Sequence, residues 1–149
     1  MQIVCEVFFL KVCVTLKETI ACVNFIIMSH NPGYLKLVED AKNNGVSEIT
    51  LQEYNMMLES KTSHALIDVR EDNEYAAGHV KGACHLSKGV IEREIESKFQ
   101  DKDTVMVLYC GAGFRSVLAA ENIGKMGYRK AVSLAGGWKA LKESGIEVE

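Results

Sequence analysis

Thr104-Val105-Met106-Val107-Leu108-Tyr109-Cys110-Gly111-Ala112-Gly113-Phe114-Arg115-Ser116 is the stretch that decides the fold. Thr104–Tyr109 is an apolar run of strand length, and Val117–Met126 follows with a helical pattern whose buried stripe is Val117, Ala120 and Ile123. A cysteine therefore stands at the C-terminal tip of a strand, and the glycine-rich turn after it delivers backbone N–H groups to a helix N-terminus. Unpaired amides and the helix dipole converge there, which stabilises an anion. A cysteine so placed is biased toward its thiolate and serves as a nucleophile near neutral pH. The two glycines let the backbone curl without Cβ clashes, and Arg115 closes the loop with a fixed positive charge. The bland alternative for Cys110 is a small hydrophobe at a buried strand end. The glycines, the arginine and the strand-to-helix position together outweigh it.

Working outward, strands alternate with helices. His30-Asn31-Pro32-Gly33 is a turn, and Tyr34–Asn43 a short helix with Leu35, Val38 and Ala41 at helical spacing, ended by Asn43-Asn44-Gly45. Glu48–Thr50 is a short strand. Thr50 then caps a helix to about Ser60, with Glu53 at capping-box spacing. Ala65–Val69 is an apolar strand, Glu74–Ala77 a helical turn closed by Gly78, and Ala83–Leu86 a strand. Val90–Phe99 is helical, with Ile91, Ile95 and Phe99 on one face and Glu92, Glu94 and Glu96 toward water. Ala131–Leu134 is the last strand, and a final helix begins near Gly136-Gly137 and holds Trp138 and Leu141. Unbroken apolar strands alternating with helices imply an α/β fold with a central, mostly parallel sheet covered on both faces. Ligands bind such sheets beyond the carboxyl ends of the strands, where Cys110 sits.

The 149 residues suffice for one domain with a real core. A net charge of -3 and the lack of a basic cluster interleaved with aromatics argue against a nucleic-acid partner. The single proline, Pro32, argues against long disordered linkers. The five cysteines (Cys5, Cys13, Cys22, Cys84 and Cys110) are odd in number, widely spaced and free of any Cys-x-x-Cys pair. That pattern fits neither a disulfide framework nor a zinc ribbon, and reduced thiols suit a cytoplasmic setting. Residues 1–27 are apolar in part, but Lys11, Lys17 and Glu18 interrupt them, so no membrane span is expected. They are read as an extension outside the native chain, which then starts at Met28; a targeting or membrane-surface segment is the alternative. Residues 28–46 are read as a helical lead-in and 47–149 as the domain proper.

Three sets of residues carry a family resemblance. Leu66-Ile67-Asp68-Val69-Arg70, Glu74-Tyr75, Gly78-His79-Val80 and Gly82-Ala83 resemble the first signature of the rhodanese family. Cys110-x-x-Gly113-x-Arg115-Ser116 is similar to the active-site loop of single-domain rhodaneses, and Gly136-Gly137-Trp138 with Leu141 resembles the C-terminal signature. The match covers about Ser47 to Gly145 in order. Lys81 departs from it, standing where many members carry proline, a change that touches turn rigidity rather than chemistry.

The resemblance implies a three-layer fold around a five-stranded sheet and a sulfurtransferase. Cys110 would take the outer sulfur of an anionic donor such as thiosulfate, hold it as a persulfide, and pass it to cyanide in an assay or to a thiol in the cell. Gly111, Ala112, Gly113, Phe114, Arg115 and Ser116 would cradle the transferred sulfur, with no metal and no organic cofactor. A sulfur-accepting protein is compatible with this chemistry; nucleic acid and membrane are not expected partners. The alternatives are a sulfur-relay or regulatory binding module and, behind it, a cysteine phosphatase. Phosphatases on this fold have five residues between cysteine and arginine, where this chain has four, Gly111–Phe114. Asp68 and Arg70 are read as orienting loops, and His79, His85 and Cys84 as structural rather than metal ligands or a resolving thiol. Trp138 is read as packed on the core.

Overall fold

Met106–Tyr109 forms the middle strand of the sheet, and all four residues have no exposed surface. A strand covered on both faces can be apolar throughout, which is why this segment shows no alternation. The structure, a computed structural model, describes residues 30–149; the readings of residues 1–27 lie outside them. Among the described residues the elements are α1 (Pro32–Asn43), β1 (Glu48–Ile49), α2 (Leu51–Glu59), β2 (Ala65–Asp68), α3 (Asp72–Ala76), β3 (Cys84–His85), α4 (Ile91–Lys98), β4 (Met106–Tyr109), α5 (Phe114–Lys125), β5 (Ala131–Leu134) and α6 (Gly137–Glu143). The sheet and everything described below lie in the compact unit Leu37–Glu149.

The five strands run in the order β1-β5-β4-β2-β3, and every pair is parallel. Among the described residues a single antiparallel bridge, Val80 to Val148, lies outside the sheet. β2 and β4 pair from Ala65–Met106 to Asp68–Tyr109. The chain crosses the sheet one way from β1 to β2 and the other way from β3 through β4 to β5. Right-handed crossovers must then put α2 on one face and α4 and α5 on the other. The core divides accordingly. Ile67, Met106, Leu108 and Cys110 pack with Ile91, Ile95, Ala119 and Ile123. Leu66, Val107, Tyr109 and Leu134 pack with Tyr54 and Leu141, on α2 and α6. Consecutive β4 residues fall on opposite sides because side chains alternate along a strand.

This strand order fixes where a site can form. From β2 the chain leaves toward β3, and from β4 it leaves the opposite way toward β5. The two connections diverge and open a crevice beyond the carboxyl ends of β2 and β4. The segment after β2, which carries Glu71 and Glu74, faces the segment after β4, which carries Cys110 and Arg115.

Element types agree with the sequence reading, and the differences are at ends. The capping box holds: Glu53 N–H donates to Thr50 Oγ1 at 3.2 Å and Thr50 N–H to Glu53 Oε2 at 2.7 Å. The predicted strand over Ala83–Leu86 shortens to Cys84–His85, an edge strand paired on one side only. The consequential difference is α5. It starts at Phe114 rather than Val117, so Phe114, Arg115 and Ser116 form its first turn and not part of a loop. Gly113 precedes it with φ 101°, in the left-handed region open to glycine.

Candidate active site

Cys110 follows β4 directly and is 2% exposed. Its Sγ accepts the Gly113 N–H at 3.2 Å and lies 3.6 Å from the Ser116 hydroxyl. Sulfur is thus met from two points of the α5 N-terminus, the end of a helix that favours negative charge. Ser116 is fully buried, and its Oγ also lies 3.0 Å from Gly113 O and 2.9 Å from Ser133 Oγ. Ser133 Oγ is itself 3.3 Å from the same carbonyl. Each hydroxyl has one proton. When Ser133 satisfies Gly113 O, the Ser116 proton is available to the sulfur.

The carbonyl side of the loop is held separately. Trp138 N–H donates to Cys110 O at 2.6 Å and Lys139 N–H to Gly111 O at 3.3 Å. The first turn of α6 thereby takes up the Cys110 and Gly111 carbonyls, and the Gly113 N–H is the loop amide that meets the sulfur. The approach is close: a Cβ on Gly137, whose φ is +50°, would sit 2.2 Å from Cys110 O. Gly113 is tight as well, with Leu134 O and Gly136 N each 3.4 Å from where its Cβ would be.

Arg115 does not stand free at the mouth. It reaches across the crevice and donates to both oxygens of Glu74, Nη1 to Oε2 at 2.6 Å and Nη2 to Oε1 at 2.8 Å. Glu71 Oε1 is a further 3.4 Å from Nη1. The guanidinium holds the Glu74 carboxyl down to about 2, and Glu74 in turn pushes the Arg115 guanidinium further up. The sequence reading has Arg115 close the loop with a fixed positive charge; the structure pairs that charge with Glu74. A glutamate at that distance captures a guanidinium in a bidentate pair.

Asp68 and Arg70 form a second, buried pair, 0% and 3% exposed. Arg70 Nε lies 3.0 Å from each Asp68 oxygen, and Nη2 donates to Asp68 Oδ2 at 2.6 Å and to Gly78 O at 2.8 Å. The guanidinium also stacks over the Trp138 ring at 4.4 Å. The pair therefore orients loops, as read. Trp138 packs in the α6 face of the core with Tyr109, 6.3 Å between rings. Tyr75 lies between His79 and His85, with ring centroids 3.6 and 4.3 Å away. The imidazoles are held by Tyr75 O and Arg70 O, a structural role. Cys84 is half-buried, and burial pushes its thiol up. Among the described residues no group of three or more His, Cys, Asp or Glu could hold a metal ion, and no helix is long and apolar enough to cross a membrane.

Four residues of this site had no role in the sequence reading. Glu74 and Gly137 were visible within the signatures, but their contacts are made across the crevice and across the sheet. Glu71 carries a local signal only as the N-cap of α3, three residues before Glu74, and Ser133 carries none.

The rhodanese-like domain family matches residues 50–144 of the chain. A thiosulfate sulfurtransferase, GlpE, of Coxiella burnetii (strain RSA 331) is 31% identical over 85 residues, 57% of this chain and 78% of the relative. A Bacillus subtilis (strain 168) protein bearing the name of a sulfur carrier, YrkF, is 29% identical over 94 residues, 63% of this chain. The chain spans only 50% of that relative's length. Among solved structures, a Rhodopseudomonas palustris protein of unknown function, described as a possible tyrosine phosphatase, aligns with a TM-score of 0.71 at 25% identity. That alignment covers 81% of this chain and 97% of the other.

Proposed function

The chain belongs to the rhodanese-like domain family, and on that premise we propose that it is a sulfurtransferase working through a persulfide on Cys110. The observation that carries the reading is the surround of Cys110 Sγ: a backbone N–H at 3.2 Å, a buried hydroxyl at 3.6 Å, and a helix N-terminus behind both. These groups stabilise a thiolate and, after transfer, the terminal sulfur of a persulfide. In the first step Cys110 attacks the outer sulfur of a donor, and the remainder of the donor leaves with the bonding pair. In the second step a thiol in the cell, or cyanide in an assay, takes that sulfur and restores the thiolate. Such a two-step exchange gives ping-pong kinetics. The names of the relatives support sulfur transfer or sulfur carriage. A cytosolic setting and a protein acceptor are part of the same proposal, and thiosulfate is the first donor to test.

A phosphatase reading has one observation in its favour, the likeness to the Rhodopseudomonas palustris structure. Two observations oppose it. Four residues rather than five separate Cys110 from Arg115. The guanidinium that would grip a phosphate is bound to both oxygens of Glu74.

Intact-mass measurement separates these readings. After brief exposure to a sulfane-sulfur donor the protein gains one sulfur atom, cyanide or a reductant removes it, and Cys110→Ala gains none. Hydrolysis of aryl phosphates without the sulfur adduct would replace the sulfurtransferase with a phosphatase. Neither activity, with Cys110 still open to alkylation, would make the domain a binding module.

A further inference from the structure

Given sulfur transfer at Cys110, the charges across the crevice bear on which donor is used. Arg115 is the only cation between Cys110 and Ser116, and both of its terminal nitrogens are engaged by one carboxylate. Glu71, with an oxygen 3.4 Å from Nη1, is left in excess. Its side chain is 59% exposed, so its charge faces the solution from which a donor arrives. Asp72 adds a third carboxylate on the same side, 3.8 Å from His85 Nε2. Arg70 offers nothing to an incoming anion, because Asp68 and Gly78 O occupy it inside the core. Positive charge nearby comes from Lys88 and Lys139, whose backbone N–H groups bind Val69 O and Gly111 O, and from Arg93, which lines a cavity with Asp72 and is balanced by its pair with Glu94. Set against Glu71, Asp72 and Glu74, these lysines and the paired guanidinium leave no excess of positive charge.

We propose that Glu71 and Glu74 determine the donor class: by neutralising Arg115 across the crevice they disfavour a dianion such as thiosulfate and favour an organic persulfide, R–S–SH. The exchange balances without a further reactant. Cys110 as thiolate attacks the outer sulfur of R–S–SH, a new S–S bond forms, and the R–S to sulfur bond breaks. R–S⁻ leaves with the bonding pair, and Cys110–S–SH remains. With thiosulfate the same attack expels sulfite, and two negative charges must approach the carboxylates first. The form of the persulfide that Cys110 attacks is the protonated R–S–SH, which carries no charge and meets no such repulsion.

The test is the rate at which Cys110 of the full chain is loaded, read by quenching with an alkylating agent and weighing the intact protein. The donors are thiosulfate and the persulfide of 2-mercaptoethanol. Glu71→Gln leaves the bidentate Arg115–Glu74 pair in place and removes one charge. It is expected to raise loading by thiosulfate roughly three- to tenfold at low ionic strength, with the gain shrinking as salt is added. Loading by the neutral persulfide stays within about twofold. Glu74→Gln, which also releases the guanidinium, is expected to shift the ratio of the two donors further in the same direction. A thiosulfate rate that does not rise in Glu71→Gln, or rates that rise together for both donors, overturns the proposal while sulfur transfer stands. Failure of the wild type to load from either donor overturns sulfur transfer itself and this inference with it.

Discussion

The Cys110 loop is held from two sides that differ in burial, and the difference separates shape from charge. Its floor is made of Gly137, Trp138 and the Asp68–Arg70 pair. Its rim is made of Glu71, Glu74 and Arg115. Each side contains an arginine bound to a carboxylate through more than one hydrogen bond. In the floor the pair is 3% and 0% exposed in its side chains; in the rim the Arg115 and Glu74 side chains are 28% and 34% exposed. Burial makes the floor pair obligatory, since either charge alone would be stranded away from water. Exposure makes the rim pair adjustable, since water can solvate either partner. The floor therefore fixes where the loop carbonyls point, and the rim sets the charge an incoming molecule meets.

Breaking the floor has the largest expected effects. Asp68→Ala leaves the Arg70 guanidinium buried and uncompensated, and the expected loss is about 3–5 kcal/mol, measured by urea unfolding. A loss under about 1 kcal/mol would show that the two pairs do not differ as described. Gly137→Ala is next. Its Cβ would lie 2.2 Å from Cys110 O with φ at +50°, so backbone must move. Overpacking and left-handed strain together cost about 2–4 kcal/mol. Because the displaced atom belongs to Cys110, sulfur loading should fall on the order of 100-fold in the protein that remains folded. Normal loading by a destabilised variant would mean that α6 supports the fold without positioning the nucleophile.

The same division explains how much was legible in the sequence. The sheet and its helices were readable because an apolar run, a helical stripe or a capping box is local, as in Met106–Tyr109, Val117–Ile123 and Thr50–Glu53. The strand-end cysteine with its glycine turn was readable for the same reason. The start of α5 is not legible in the periodicity because Phe114, Arg115 and Ser116 precede its apolar stripe; Gly113 in the left-handed region marks the boundary. The partner of Arg115 is not legible because it lies 41 residues away, on an element beyond a different strand. Trp138 N–H on Cys110 O is likewise a contact between chain segments that periodicity cannot join. What the sequence left open is what the crevice brings together.

The smallest expected effect belongs to the rim and tests it through pH. Glu74 has its carboxyl held at about 2, against 4.5 for an unperturbed glutamate, chiefly by its hydrogen bonds to Arg115. A carboxyl depressed on folding contributes stability that is complete above its unfolded value and is lost as pH falls through its folded value. The Glu74 contribution therefore disappears between about pH 4.5 and about pH 2. Because a third of the side chain is exposed, solvent screening keeps its size below about 1 kcal/mol. In Glu74→Gln the unfolding free energy at pH 7 should drop by no more than that, and the wild type and the variant should converge as pH falls across the window. The buried pair predicts the opposite ranking: Asp68→Ala remains several times more costly at pH 7 than Glu74→Gln. If the two variants cost the same at neutral pH, or if the Glu74→Gln difference persists undiminished at pH 2, then the rim pair is part of the fold's framework. The contrast between a fixed floor and an adjustable rim would then fail.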